Sequence, residues 1–139
     1  MNGVDVRVIT FGTFDLFHIG HLRILERARA LGDYLVVGVS SDALNFRKKN
    51  LRPVYPEDQR MAIVQAIKGV DEVFLEDSLE LKRDYILQHR ADILVMGDDW
   101  KGRFDDMSDV CKVIYLERTP SISTTMVKAD IIQSDACSQ

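Results

Sequence analysis

The sequence predicts an α/β fold: a doubly wound, five-stranded parallel sheet with helices on both faces, built as a single domain over residues 1–139. Three observations lead there. Strand-like apolar runs alternate with amphipathic helical patterns along the chain, which is the signature of β-α-β units with right-handed crossovers. The run Tyr34 to Ser40 (YLVVGVS) is apolar without alternation, as a strand covered on both faces must be. No repeat, low-complexity stretch or Gly/Ser linker divides the chain.

Taken in order, Val4 to Phe11 is a β-branched first strand ending at Gly12. A helix follows from about Gly20 to Leu31, with Ile24, Leu25, Ala28 and Leu31 on one face and Gly32 as its stop. Tyr34 to Ser40 is the second strand, and Asp42 to Arg52 reads as a short polar and basic stretch. Pro56 at a first helical position, then Glu57 and Asp58, starts a helix to about Lys68 whose inward face carries Ala62, Ile63, Ala66 and Ile67. Val70 to Leu75 is a strand, Leu79 to His89 a helix, Ile93 to Gly97 and Lys112 to Leu116 further strands. A last helix runs from near Ser123 to about Gln133, and residues 134–139 form a frayed tail. The pattern is Rossmann-like, so ligands belong beyond the carboxyl ends of the strands, where strand order reverses. That rule selects Gly12 to His21, Ser40 to Pro53, Gly97 to Lys101 and Arg118 to Thr125.

Composition narrows the function classes. The hydrophobic fraction is 46% and the charged fraction 29%, with a formal net charge of −4 from 18 basic and 22 acidic residues. A general nucleic-acid or membrane-surface binder needs a basic excess; a local basic pocket for a small anion does not. Cys111 opens an apolar run and reads as a buried thiol, Cys137 lies in a polar tail, and neither suggests a disulfide framework. With no signal-peptide h-region and no apolar run of membrane-spanning length, the expected location is cytoplasmic.

The chemistry concentrates in the four selected segments. Gly12-Thr13-Phe14-Asp15-Leu16-Phe17-His18-Ile19-Gly20-His21 leaves the first strand and enters the first helix. His18 and His21 are three apart and share a helical face, Gly20 permits close approach of a ligand, and the helix N-terminus adds N–H donors. Together they suit a phosphate. As metal ligands they lack partners, since only His89 remains and it lies on another helix. Asp15 orients this loop rather than binding a ligand. Late in the chain, Arg118 offers a fork of donors to phosphate oxygens, and Ser123, Thr124 and Thr125 bring hydroxyl and N–H groups to a helix start, beyond what one N-cap needs. Asn45 to Arg52 (NFRKKNLR) holds four cations in eight residues: a solvated face in isolation, a substrate loop at this sheet edge. Gly97-Asp98-Asp99-Trp100 ends the fourth strand, either as a plain helix-start turn or as a ligand contact.

GTFDLFHIGH carries the HxGH signature of the cytidylyltransferase-like nucleotidyltransferases, and Arg118-Thr119-Pro120-Ser121-Ile122-Ser123-Thr124-Thr125 is similar to their RTxGISTT signature. HIGH also occurs in class I aminoacyl-tRNA synthetases, which need a far longer chain. GDYLVV and VMGDDW resemble the bacterial glycerol-3-phosphate cytidylyltransferases within the family, and the likeness runs from about Val8 to Ile131. The resemblance implies CTP and glycerol 3-phosphate as substrates, Mg2+ accompanying the triphosphate, no metal ligand from the protein, and a homodimer. It implies nucleotide contacts from Thr13, Phe14, His18, Gly20, His21, Asp99, Arg118, Thr119, Ser123, Thr124 and Thr125. Lys48 is the loop lysine that reaches both substrates, with Lys49 the alternative because alignment to Arg60 requires one extra residue here. Lys82 matches a lysine on the acceptor phosphate; as a bare residue it reads equally as a surface helix lysine. His18, His21, Lys48 and Arg118 form the expected catalytic set. One departure stands out: Pro120-Ser121 occupies the place of the family's x-Gly, where glycine would allow a positive φ. A related transferase with another acceptor or nucleotide, and a nucleotide-binding module without turnover, are the rival readings.

Overall fold

The first strand, β1 (Arg7–Gly12), lies at the centre of a five-stranded sheet in which every pairing is parallel. β2 (Tyr34–Ser40) and β3 (Glu72–Glu76) continue the sheet on one side, β4 (Ile93–Gly97) and β5 (Lys112–Leu116) on the other, giving the order β3-β2-β1-β4-β5. Val8 pairs in register with Leu35 on one side and with Ile93 on the other. Strand order therefore reverses at β1, and its carboxyl end is the switch point that the sequence selects. This computed structural model describes residues 5–117 and 127–132; residues 127–132 are helical.

Alternation along the strands sorts the core into two layers. Val8, Leu35, Val37, Val39 and Val95 face one way and bury Leu25 and Ala28 of α1 (Ile19–Arg29) and Val64 of α3 (Glu57–Gln65). Ile9, Phe11, Val36, Leu94 and Met96 face the other way and bury Ile86 of α4 (Lys82–Gln88) with Cys111. Helices thus cover both faces, as predicted. Cys111 is a buried free thiol; Cys137 and the tail 134–139 lie outside the described residues. No helix among the described residues is long and apolar enough to cross a membrane.

Two elements differ from the sequence reading. The basic stretch after β2 begins as a helix, α2 (Asp42–Lys49). Ser41 caps it by accepting the Leu44 N–H through Oγ at 3.0 Å, and Asn50, at φ 56°, closes it in the left-handed conformation. Leu44 and Asn45 are its buried residues, and the charges that masked its pattern lie in its last turn. In α3 the inward residues are Arg60 and Val64, with Met61 and Ile67 half-buried, whereas Ala62 and Ala66 are exposed. The cause is Arg60. Its guanidinium is fully buried and donates to the carbonyls of Tyr55, Thr13 and Ser40 and to Asp42 Oδ1 at 2.7–2.9 Å. An inward arginine rotates the buried face away from the one hydrophobicity suggests.

Candidate active site

The strand-to-helix loop after β1 is wound tightly. Phe14 and Leu16 both hold positive φ, 55° and 48°, a conformation that costs a non-glycine residue on the order of 1 kcal/mol or more. Packing supports it: the Phe14 ring is buried in the core layer over α1, and Gly12 leaves the space it fills, since a Cβ there would meet the ring at 2.9 Å. Asp15, between the two strained residues, is buried. Its carboxylate accepts the N–H groups of Val54 at 2.7 Å and Tyr55 at 2.9 Å, and that of Leu16 at 3.1 Å. It also lies 3.7 Å from the Lys128 ammonium. Asp15 is therefore a clasp between this loop and the segment before α3, the orienting part expected of it.

Thr13 is held similarly. Its hydroxyl donates to Asn45 Oδ1 at 2.9 Å, while the Asn45 amide donates to the carbonyls of Ser40 and Ser41. Asn45 and Arg60 thereby fasten the loop after β1 to the end of β2. Neither stood out in the sequence: Asn45 opens a cationic run, and Arg60 sits in a helix of unremarkable pattern. The one available signal was Ser41, a capping residue four positions before that run.

His18 is the N-cap of α1. Its Nδ1 accepts the Gly20 N–H at 3.0 Å, and the Nδ1 of His21 reaches back to accept the His18 N–H at 3.1 Å. The pair is a capping box made of imidazoles. Two consequences follow for the chemistry. With Nδ1 accepting, the neutral ring carries its proton on Nε2. Protonation is also disfavoured: burial lowers the pKa of His18, and that of His21 falls to about 4, through burial first and then the charge of His18, against a smaller opposing pull from Asp15. At neutral pH His21 is an uncharged N–H donor of fixed tautomer.

A cavity of about 510 Å³ opens over these groups. Thr13, Phe14, His18, Gly20, His21 and Asp99, all named from the sequence, line it together. Asp99 and Trp100 belong to a turn of 3-10 helix, Asp98–Trp100, directly after β4. Gly97 leaves room for the Asp99 carboxylate, since a Cβ there would lie 2.8 Å from Asp99 Oδ1 and make the side chain shift. Pro53, Arg52 and Lys49 close the side toward α2, and Lys128 and Glu117 the side toward the end of β5. Arg27 of α1 donates to the Glu117 carbonyl at 2.7 Å, anchoring the residue that precedes the second signature. Arg118, Thr119, Ser121, Ser123, Thr124 and Thr125 lie outside the described residues.

The lysines divide. Lys49 lines the cavity, whereas Lys48 does not; Lys48 is half-buried, and its pKa is lowered by burial first, with Glu76 opposing and Lys49 and Lys82 adding to the fall. Lys82 is no surface lysine. It is 2% exposed, its ammonium lies 2.8 Å from Glu76 Oε2, and it sits 3.8 Å above the Phe11 ring. Phe11 in turn lines the cavity, so Lys82 lies behind its wall rather than in it. Among the described residues no cluster of three or more His, Cys, Asp or Glu side chains could hold a metal ion. The arrangement offers neutral donors, a strained loop and cations around an anion-sized space.

Comparison with known proteins agrees with this architecture. Residues 9–130 match the family model described as cytidylyltransferase-like. The chain is 49% identical over 125 residues to the glycerol-3-phosphate cytidylyltransferase of Bacillus subtilis strain 168, covering 90% of this chain and 96% of that one. It is 45% identical over 130 residues to the enzyme of that name from Staphylococcus aureus, covering 94% and 98%. The crystal structure of a lipopolysaccharide core biosynthesis protein from Thermoplasma volcanium superposes with a TM-score of 0.73 at 26% identity, covering 84% of this chain and 99% of the other. The chain belongs to the cytidylyltransferase-like family of nucleotidyltransferases.

Proposed function

We propose that this protein is a glycerol-3-phosphate cytidylyltransferase, joining CTP and glycerol 3-phosphate to give CDP-glycerol and pyrophosphate. The reading is carried by the His18–His21 capping box at the switch point of the sheet, in a chain nearly half identical to enzymes bearing that name.

The acceptor already carries a phosphate dianion near neutral pH, so it needs no base to become a nucleophile. One of its oxygens attacks the α-phosphorus of CTP; a new P–O bond forms as the bond to the β-phosphate oxygen breaks, and the electron pair leaves with pyrophosphate. What remains for the protein is positioning and stabilisation of charge. His18 and His21 donate to phosphate oxygens as neutral imidazoles of fixed tautomer, with no reorganisation at the moment of reaction. Lys49, which lines the cavity, and Lys48, which lies in the field of Glu76 and Lys82, balance charge on the nucleotide and on the acceptor. Asp99 and Trp100 border the nucleoside, while Arg118 with Thr119, Ser123, Thr124 and Thr125 holds the departing pyrophosphate. Asp15 accepts the backbone amides of Val54 and Tyr55, and Mg2+ would accompany the triphosphate as part of the substrate, where it would neutralise phosphate charge. A homodimer in the cytoplasm, supplying an activated glycerol phosphate for a polymer such as teichoic acid, fits this chemistry.

A panel of nucleotides and phosphorylated acceptors, scored for pyrophosphate release with Mg2+, tests the reading. CTP with glycerol 3-phosphate should exceed every other pair by at least tenfold. Preference for another nucleotide or acceptor would reassign the substrate, and CTP binding without turnover would make the chain a binding module.

A further inference from the structure

Glu76 and Lys82 form a buried charge pair at the carboxyl edge of the sheet. Glu76 ends β3, in register with Ser40 at the end of β2, and so stands at the carboxyl edge where the ligand cavity opens. It is 1% exposed, and Lys82 2%. Its Oε1 accepts the Ser40 hydroxyl at 3.2 Å, and its Oε2 lies 2.8 Å from the Lys82 ammonium. Around that ammonium pack Phe11 of β1, at 3.8 Å, and Phe104 from the segment before β5, at 5.0 Å. Lys48 of α2 adds a second cation within the field of both groups.

Burying two charges costs several kcal/mol each in desolvation, and an apolar pair of similar volume often serves stability as well or better. A buried pair at a ligand edge is therefore better explained by what its charge does. One carboxylate here stands against two ammoniums, leaving a net positive charge of one beside the cavity. We propose that Glu76 is the positioning residue of the acceptor side of the site: its carboxylate holds the Lys82 ammonium charged and in place behind Phe11, so that Lys82 and Lys48 together attract the acceptor's phosphate. This rests on the reading of the acceptor as a phosphorylated alcohol. Glu76 itself touches no substrate.

The physical consequence is specific. Burial pulls the pKa of Lys82 down and Glu76 is the group that pulls it back up, by charge and by hydrogen bonding. In Glu76→Gln the restoring pull is gone, and Lys82 loses its proton within the working pH range, as buried lysines without a partner do. Acceptor binding then weakens as pH rises.

The test measures KM for glycerol 3-phosphate and for CTP from about pH 7.5, where the acceptor is a dianion, to about pH 9. For the wild type the acceptor KM should stay level. For Glu76→Gln it should climb by up to about tenfold per pH unit, while the CTP KM stays within about twofold of wild type. Adding Lys82→Arg to Glu76→Gln should level the profile again, because a guanidinium stays charged throughout. An acceptor KM in Glu76→Gln that follows the wild-type profile, or a rise shared equally by CTP, would overturn the proposal. Should Glu76→Gln fail to fold, nitrogen NMR of the wild type decides: a Lys82 ammonium at pH 8 supports the proposal, and a neutral amine overturns it. If the wild type fails to turn over glycerol 3-phosphate at all, the functional reading falls, while the NMR comparison still reports on Glu76 and Lys82.

Discussion

The rings of His18 and His21 stack with centroids 3.9 Å apart, and each imidazole accepts a backbone N–H of the turn they share. Cap and donor are thus the same side chains. Helix geometry fixes their orientation, and burial keeps them uncharged.

These two parts can be separated at His18. His18→Ala should lose the N-cap, costing about 1 kcal/mol of stability, and lower kcat by about 100- to 1,000-fold, as loss of a preorganised donor does. His18→Asn should keep most of the stability, since asparagine caps well, while turnover stays depressed. Denaturant melts and steady-state kinetics on both variants check this.

His21 makes stability depend on pH. Its folded pKa, about 4, lies below the ordinary 6.5, so between these values the unfolded chain binds more protons. The contribution of the neutral ring is complete above pH 6.5 and is lost as pH falls toward 4, by at most about 1.4 kcal/mol per unit. Urea titrations from pH 7 to 4 should show a shallower fall for His21→Asn than for wild type. Parallel curves would contradict it.

Asp15 should control the segment before α3. In Asp15→Asn one of the amides of Val54 and Tyr55 faces an NH2 group instead of an oxygen, a loss of roughly 1–3 kcal/mol. Hydrogen exchange at residues 54–55 should accelerate, and the KM for CTP should rise as Arg52 and Pro53 leave the cavity wall.

Arg60→Met removes donors from the carbonyls of Tyr55, Thr13 and Ser40, leaves those buried and part-buried acceptors short of a partner, and takes the ion-pair partner from the partly exposed Asp42. The expected destabilisation is about 3–5 kcal/mol. Arg60→Lys should recover only part of it, because one ammonium cannot reproduce the fork. Chemical denaturation of the pair gives the comparison.

Lys48 and Lys49 should affect different substrates. Lys49 lines the cavity and Lys48 lies in the field of Glu76 and Lys82. Lys49→Ala should raise the KM for CTP, and Lys48→Ala that for glycerol 3-phosphate, each by about tenfold, the effect of losing roughly 1.4 kcal/mol.

How legible these features were depended on whether a residue's role shows in its neighbours along the chain. The bounds of β2, β4 and β5 emerge as read, because continuous apolar runs bounded by polar or glycine residues admit little else. The cavity residues after β1 and β4 were legible too: a switch point follows from strand order, and strand order from alternation. α2 was not, because its buried side is a leucine and an asparagine while its charges dominate the pattern. Arg60, Asn45 and Glu76 each reach at least one partner distant along the chain (Asp42, Thr13 and Ser40 respectively), and local spacing carries no trace of such bonds. Lys82 shows the same limit. Its chemistry matched a family position, but only the packing of Glu76 and Phe11 against it reveals that its charge is buried.

Everything proposed for the site turns on the His18–His21 pair promoting transfer of a cytidylyl group to a phosphate oxygen. Phosphorus NMR of CTP, glycerol 3-phosphate and Mg2+ with the protein tests it most directly. The coupled pair of diphosphate resonances of CDP-glycerol should grow in step with pyrophosphate, at a rate at least about 100-fold lower with His18→Ala. Conversion of CTP without a diphosphate-linked product, or equal rates for wild type and His18→Ala, would contradict it.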